Sequence, residues 1–280
     1  MPTDVMIIVL LAALLHAGWN AIVRASRDKF HDTVLIVLGA GLWAFLLLPW
    51  LPLPAPESWP YLAASVLIHV AYFSLVAFAY RAGELSLVYP LMRGSAPAMS
   101  AVAVALLLHE LPSAGQWAGI ALISGGVLVL TGDSWRSGRL HTQSALWALT
   151  NAGVIALYTL VDGRGTRLSG HTLSYTGWMF LLTALLFVAV SAAAQGRGIR
   201  QRLRHGWHRA LIGGGATLAS YGLVLWAMTR APIALVAALR ETSVVFATII
   251  AAVLLREPVT RWRYVSICVV SAGAIAIKIF

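Results

Sequence analysis

Charge is scarce in this chain. Only 11% of its 280 residues are Asp, Glu, Lys or Arg, where a soluble domain carries about a quarter. Too few charged side chains remain to build a water-facing surface, which excludes an ordinary soluble globular domain. Cysteine occurs once, as Cys268, which excludes an intrachain disulfide. The eight histidines are scattered, and His109-Glu110 is followed by Leu111-Pro112-Ser113, so the second histidine of a zinc-binding HExxH helix is missing. Neither a nucleophile elbow nor a G-x-x-x-x-G-K-[ST] phosphate loop occurs. The chain therefore reads as a non-enzyme that cannot draw directly on ATP, with no metal expected.

What is abundant is apolar. Hydrophobic residues make up 60% of the sequence, and the mean hydropathy is +0.82. Lipid offers backbone N–H and C=O groups no water, so a chain of this kind must span as helices or as a closed barrel. The apolar runs are too long and unbroken for the alternating pattern of a barrel. Runs of about 20 apolar residues place helices near 4–24, 32–51, 59–81, 85–109, 114–132, 143–161, 171–194, 208–229, 231–255 and 261–279. The expected fold is an all-α membrane protein of ten transmembrane helices.

Basic residues exceed acidic ones by ten, 20 to 10, yet they sit in short links between spans, where they set orientation rather than bind nucleic acid. Links one, three, five, seven and nine hold 14 of the Lys and Arg residues, and the opposite side holds only Arg164, Arg167, Arg230 and Lys278. The positive-inside rule then puts the rich side in the cytoplasm and both termini outside. The partners implied are a lipid bilayer and a small-molecule substrate, with no nucleic acid.

The sequence also repeats itself. Arg93 lies inside an apolar stretch that ends, with sixteen residues between, at Glu110, and Arg240 stands in the same relation to Glu257. A constant offset of 147 aligns the flanking segments and pairs Gly126 with Gly273. The expected halves are residues 1–135 and 142–280, five helices each. An odd number of spans per half threads the second copy through the membrane upside down, an inverted five-plus-five repeat, the arrangement that supports alternating access.

The paired segments LLLHELPSAGQWAGIALISGGVLVL and VLLREPVTRWRYVSICVVSAGAIAI resemble the motif of the drug/metabolite transporter superfamily in its ten-helix EamA type: a glutamate at the end of the fourth helix, followed by a glycine-rich fifth helix. The resemblance covers essentially the whole chain. It implies secondary transport without a cofactor and a central cavity lined mainly by helices one, three, four, six, eight and nine. Many relatives keep their termini in the cytoplasm, opposite to the charge census. The opening LLAALLHAGWNAIVRAS resembles a bacterial subgroup associated with phosphonate and amino-compound use.

Polar residues at membrane depth are the candidate site. Arg93 and Arg240 lie too deep to snorkel, so each should face the interior, where its planar fork suits carboxylate or phosphate. The competing reading is that Arg240 is neutralised by Glu241 or Asp162 and braces the bundle. His16, Trp19 and Asn20 come from the first helix, with His16 and Asn20 four apart on one face. Aligning HAGWNA with NAGVIA pairs His16 with Asn151, whose next turns bring Tyr158 and Asp162. His16 is the candidate carrier of a coupling proton, with Asp162 and Glu241 as further gating or coupling residues. Tyr72, Tyr80, Tyr89, Tyr158, Trp178, Tyr221 and Trp226 can supply an aromatic wall. Pro90 and Pro97 flank Arg93 and should disrupt the fourth helix, marking it as the moving gate, whereas the ninth has no such proline beside its arginine. Glu110 and Glu257 read as structural or gate-locking, and Gly125, Gly126 and Gly273 as packing residues.

The expected function is a secondary carrier for a small polar metabolite such as an amino acid, an aminophosphonate or a similar zwitterion or anion. It would sit in the bacterial inner membrane, as a monomer or homodimer, with the proton as candidate coupling ion. The alternative is an exporter of organic cations or drugs, weakened by the absence of an acidic residue in the first helix beyond Asp4.

Overall fold

A computed structural model describes residues 1–24, 29–82, 85–131, 142–195, 206–253, 256 and 259–280. Among them the regular structure is helical, with no strand, and ten stretches are long and apolar enough to cross a membrane. The helices are α1 (Thr3–Arg24), α2 (Lys29–Leu47), α3 (Trp59–Ala82), α4 (Leu85–Leu107), α5 (Ala114–Leu128), α6 (Thr142–Leu168), α7 (Thr172–Gln195), α8 (Trp207–Met228), the two halves α9a (Ile233–Arg240) and α9b (Ser243–Val253), and α10 (Arg261–Ile279). The outer face is inverted relative to a soluble protein. Ile7, Phe45, Leu67, Leu106, Leu185 and Ile275 are exposed, whereas Arg93, Asp162, Arg240 and Glu241 are buried. That is the distribution a lipid solvent selects.

Helix packing obeys the duplication. Exchanging each helix for the one five positions away maps α1–α8 onto α6–α3, α2–α8 onto α7–α3, and α1–α9 onto α6–α4, while α5–α10 and α2–α7 map onto themselves. The ends of α4 and α9b show the same rule at one residue. His109 and Arg256, 147 apart, both take the left-handed conformation, with φ 57° and 53°, a helix-terminating geometry that non-glycine residues rarely adopt.

Long-range hydrogen bonds establish the inversion. Lys278 donates to the Met1 carbonyl and the Thr3 hydroxyl, and Gln116 donates to the Phe280 carbonyl. The Ala55 N–H donates to the Ser169 carbonyl, and Arg167 donates to the Met228 and Ala231 carbonyls. One face therefore gathers the starts of α1, α3 and α5 with the ends of α6, α8 and α10. On the other face, Arg209 at the start of α8 pairs with Asp32 at the start of α2, 3.0 Å apart. Each helix of the first half thus runs opposite to its repeat partner.

Glycine lets the two copies meet at the α5–α10 seam. A Cβ on Gly119 would stand 2.9 Å from the Gly273 carbonyl, and one on Gly273 would stand 2.7 Å from that of Gly119. Gly126 is similarly closed by Val270, whereas Gly125, grouped with them in the sequence reading, faces open space.

Two elements depart from the sequence reading. α6 continues to Leu168 rather than stopping near 161, because Arg167 in its last turn is neutralised by Glu110 and engages two carbonyls. This extension keeps Asp162 within the span. The second departure is the position of the break. α4 is continuous through Pro90 and Pro97, and the ninth helix, without proline, is the interrupted one. Successive bonds from Glu241 N to Ala238 O, Thr242 N to Leu239 O and Val244 N to Glu241 O tighten the backbone to an i to i+3 pattern. The Thr242 hydroxyl adds its own bond to the Leu239 carbonyl at 2.7 Å, competing with the α-helical ladder. Adjacent side chains on an α-helix diverge by about 100°, so Arg240 and Glu241 can face one cluster only where the helix departs from α geometry.

Candidate functional site

The broken ninth helix delivers Arg240 and Glu241 together to the middle of the bundle. All eight residues of α9a are buried, and this half packs against α1, α4, α5, α6 and α8. α9b packs mainly on α1 and α10, and Ile249 and Val253 on it are exposed. α9a is therefore enclosed on every side, whereas α9b reaches the outer face.

Glu241 is the anionic centre. Its Oε2 lies 2.9 Å from Nη2 of Arg93 on α4, and its Oε1 lies 3.8 Å from Nε of Arg240. The duplication supplied both guanidiniums, but the carboxylate exists in one copy only, because Gly94 occupies the position after Arg93. Two buried cations therefore share one carboxylate, and Arg240 holds the weaker claim. Nη2 of Arg240 donates to the Tyr158 hydroxyl at 3.4 Å, while Nε of both arginines, Nη2 of Arg93 and Oε2 of Glu241 have no partner in hydrogen-bond geometry among the described residues.

Aromatic rings border this charge cluster. Tyr158 meets Tyr72 edge-on with centroids 5.7 Å apart, and it stacks with His69 of α3 at 4.6 Å. Tyr221 of α8 stands edge-on to His69 at 5.7 Å and donates its hydroxyl to Asp162 Oδ2 at 2.5 Å. The fully buried Asp162 also accepts from Tyr175 of α7 at 3.0 Å. Asn151, fully buried, donates to the Met92 sulfur, and its Oδ1 has no donor among the described residues. Tyr89 is half-buried in the same half of α4 as Arg93.

The first-helix trio is arranged differently. Asn20 donates its amide to the His16 carbonyl at 2.8 Å, a bond within its own helix. His16 meets the Trp19 ring edge-on at 5.1 Å, and the Trp19 indole N–H is buried without an acceptor among the described residues.

Two aromatic candidates lie apart from the cluster. Trp178 packs on Trp59 with centroids 5.7 Å apart. Trp226 lines an apolar groove of about 600 Å³ between α1, α2, α7 and α8, with the Arg230 guanidinium over its ring at 4.5 Å. The side chain of Tyr80 and the whole of Glu257 lie outside the described residues.

Sequence reasoning passed over His69 and Tyr175. His69 carried a signal, a lone histidine inside an apolar run, three residues before Tyr72 and four after Ser65. Tyr175 carried none, because only the packing of α7 on α6 brings its hydroxyl to Asp162.

No curated protein matches the chain. A solved crystal structure, described only as that of a protein, superposes on it with a TM-score of 0.74 and 18% identity, covering 100% of this chain and 98% of its own. At that identity the likeness concerns the fold. Two stretches, residues 4–132 and 142–279, match the EamA-like transporter family. The chain, a ten-span membrane protein built as a double five-helix repeat, belongs to the EamA-like transporter family.

Proposed function

We propose that the chain is a secondary active carrier that moves a small acidic or zwitterionic metabolite, an amino acid, aminophosphonate or close analogue, across a bacterial inner membrane by alternating access. The observation that carries this reading is the ratio of two buried guanidiniums to one carboxylate, with N–H donors on both arginines left without an acceptor among the described residues. A buried charge at membrane depth costs at least about 2.5–3.5 kcal/mol. A substrate carboxylate or phosphonate would offset that cost and could be held by two parallel N–H donors. Tyr72, Tyr158 and Tyr221 would wall the rest of the molecule, with Tyr89, His16, Trp19, Asn20 and Asn151 as further contacts towards the α9b side. Export of organic cations finds less support, because Asp162, the acidic group among the aromatic rings, already accepts from two phenols.

Reconstitution tests this. Wild-type proteoliposomes should take up amino acids or 2-aminoethylphosphonate, and Arg93→Gln and Arg240→Gln should abolish uptake in protein that still elutes as a folded species. Undiminished uptake in both variants rejects the reading.

A further inference from the structure

Asp162 and His69 are left over by that reading, and their geometry is specific. Asp162 is fully buried within α6, and among the described residues neither Lys nor Arg pairs with it. Its Oδ1 accepts from Tyr175 at 3.0 Å, its Oδ2 accepts from Tyr221 at 2.5 Å, and Nε2 of His69 faces Oδ2 at 4.0 Å.

Nδ1 of His69 lies 3.0 Å from the Ser65 carbonyl oxygen and 3.2 Å from the Ser65 hydroxyl. The carbonyl can only accept, so the tautomer that bonds it carries hydrogen on Nδ1. In the neutral ring Nε2 is then a lone pair, and it points at a carboxylate that also has only lone pairs. In that tautomer two buried acceptors face each other, and one additional proton satisfies both, whether it rests on Nε2 or on Oδ2. The ring is packed by its stack on Tyr158 at 4.6 Å and its edge contact with Tyr221 at 5.7 Å.

We propose that the Asp162–His69 pair is the proton-carrying site of transport, one aromatic layer away from the substrate-binding arginines. This rests on the carrier reading above. The groups that face the pair are Tyr175 from α7, Tyr221 from α8 and Tyr158 from α6 itself; behind Tyr158 stand Tyr72 of α3 and Arg240 of α9, and behind Arg240 stand Glu241 and Arg93, with Tyr89 on α4 beside Arg93. With the pair deprotonated, the charges of Arg93, Arg240, Glu241 and Asp162 cancel. An anion seated on Arg240 adds one negative charge to this buried set, and a proton taken up by the pair restores neutrality before the loaded carrier changes conformation. The coupling is symport, the proton entering with the anion. Tyr158, which touches both Arg240 and His69, is the physical link between the two sites.

The test has two arms. In the first, infrared difference spectra of the lipid-reconstituted protein are recorded across pH steps without substrate. Wild type should show a titrating band, a protonated-carboxyl C=O band with the proton on Asp162 or imidazolium ring modes with it on His69; Asp162→Asn should lose or displace it, and His69→Gln should move its midpoint. Asp162→Asn is expected to fold, since an amide N–H can donate to Nε2 where the carboxylate could not. In the second arm, labelled 2-aminoethylphosphonate is the probe. Asp162→Asn should lose pH-gradient-driven accumulation while keeping exchange between compartments of equal pH, and Arg240→Gln should lose both. A pH-difference spectrum unchanged in Asp162→Asn and His69→Gln, or gradient-driven accumulation retained in both, overturns the proposal. Failure of wild type to carry the probe counts against the substrate class alone, and the infrared arm still decides the proton site.

Discussion

The Glu110 carboxylate beyond the end of α4 pairs with Arg167 in the last turn of α6 and accepts the backbone N–H of Ile233, the first residue of α9a, at 3.1 Å. One side chain thereby ties three helices on the face where the termini lie and satisfies a donor that the helix start leaves open. Arg167 completes the tie through the Met228 and Ala231 carbonyls.

Glu110→Gln should loosen that face. The half-exposed ion pair and the helix-start bond together are worth on the order of 1–3 kcal/mol, so thermal unfolding in detergent should shift downwards by a few degrees. In a Cys268→Ser background, a cysteine placed at Leu235, which is 1% exposed, should be alkylated faster when Glu110→Gln is added. Equal labelling rates would show that the tie does not hold the face shut.

Glu241→Gln should be more severe. It leaves two buried guanidiniums without their shared carboxylate, and breaking a buried pair by removing one partner costs about 3–5 kcal/mol. The same change frees both arginines for an outside anion. Phosphonate or sulfate should therefore raise the melting temperature of Glu241→Gln by more than it raises that of wild type. An identical anion response in the two proteins would count against the arginines as an anion site.

The glycine seam gives a paired prediction. Gly273→Val must displace the Gly119 carbonyl and Ile123, and overpacking of this kind costs about 1–3 kcal/mol or prevents the α5–α10 contact altogether. Gly125→Ala meets nothing within 4 Å and should be neutral or slightly stabilising through helix propensity. Comparable losses of folded yield for both would reject the packing account.

His16→Gln separates a wall residue from a proton carrier. The imidazole borders Trp19, whereas the proposed proton site is the His69–Asp162 pair, 4.0 Å apart. The variant should change apparent substrate affinity and leave the pH profile of uptake in place. A lost or displaced pH profile would assign the coupling proton to His16.

The features legible in the sequence share a cause. Lipid enforces long apolar helices, so each span announces itself within a window of about 20 residues, and a buried Arg stands out because its cost in lipid makes it rare. The duplication was visible for a similar reason: Arg93 and Arg240, and Gly126 and Gly273, keep one offset along the whole fourth and fifth helices. His109 and Arg256 extend that offset to backbone conformation. Proline misdirected the search for the broken helix. α4 accommodates Pro90 and Pro97 within a packed environment, while α9 breaks where two adjacent charged residues must face one centre and Thr242 offers the backbone another partner.

By itself the sequence determined the spans, the doubling and the presence of two buried guanidiniums, since these depend on solvent and on local order along the chain. Tertiary structure alone decided that Glu241 serves Arg93 more closely than its own neighbour Arg240, and that Asp162 meets Tyr175, Tyr221 and His69 rather than an arginine. The physical reason is that these pairings depend on which helix faces meet. Close approaches set those faces, such as Gly119 against Gly273, and the joined residues lie far apart along the chain, as do His69 and Asp162.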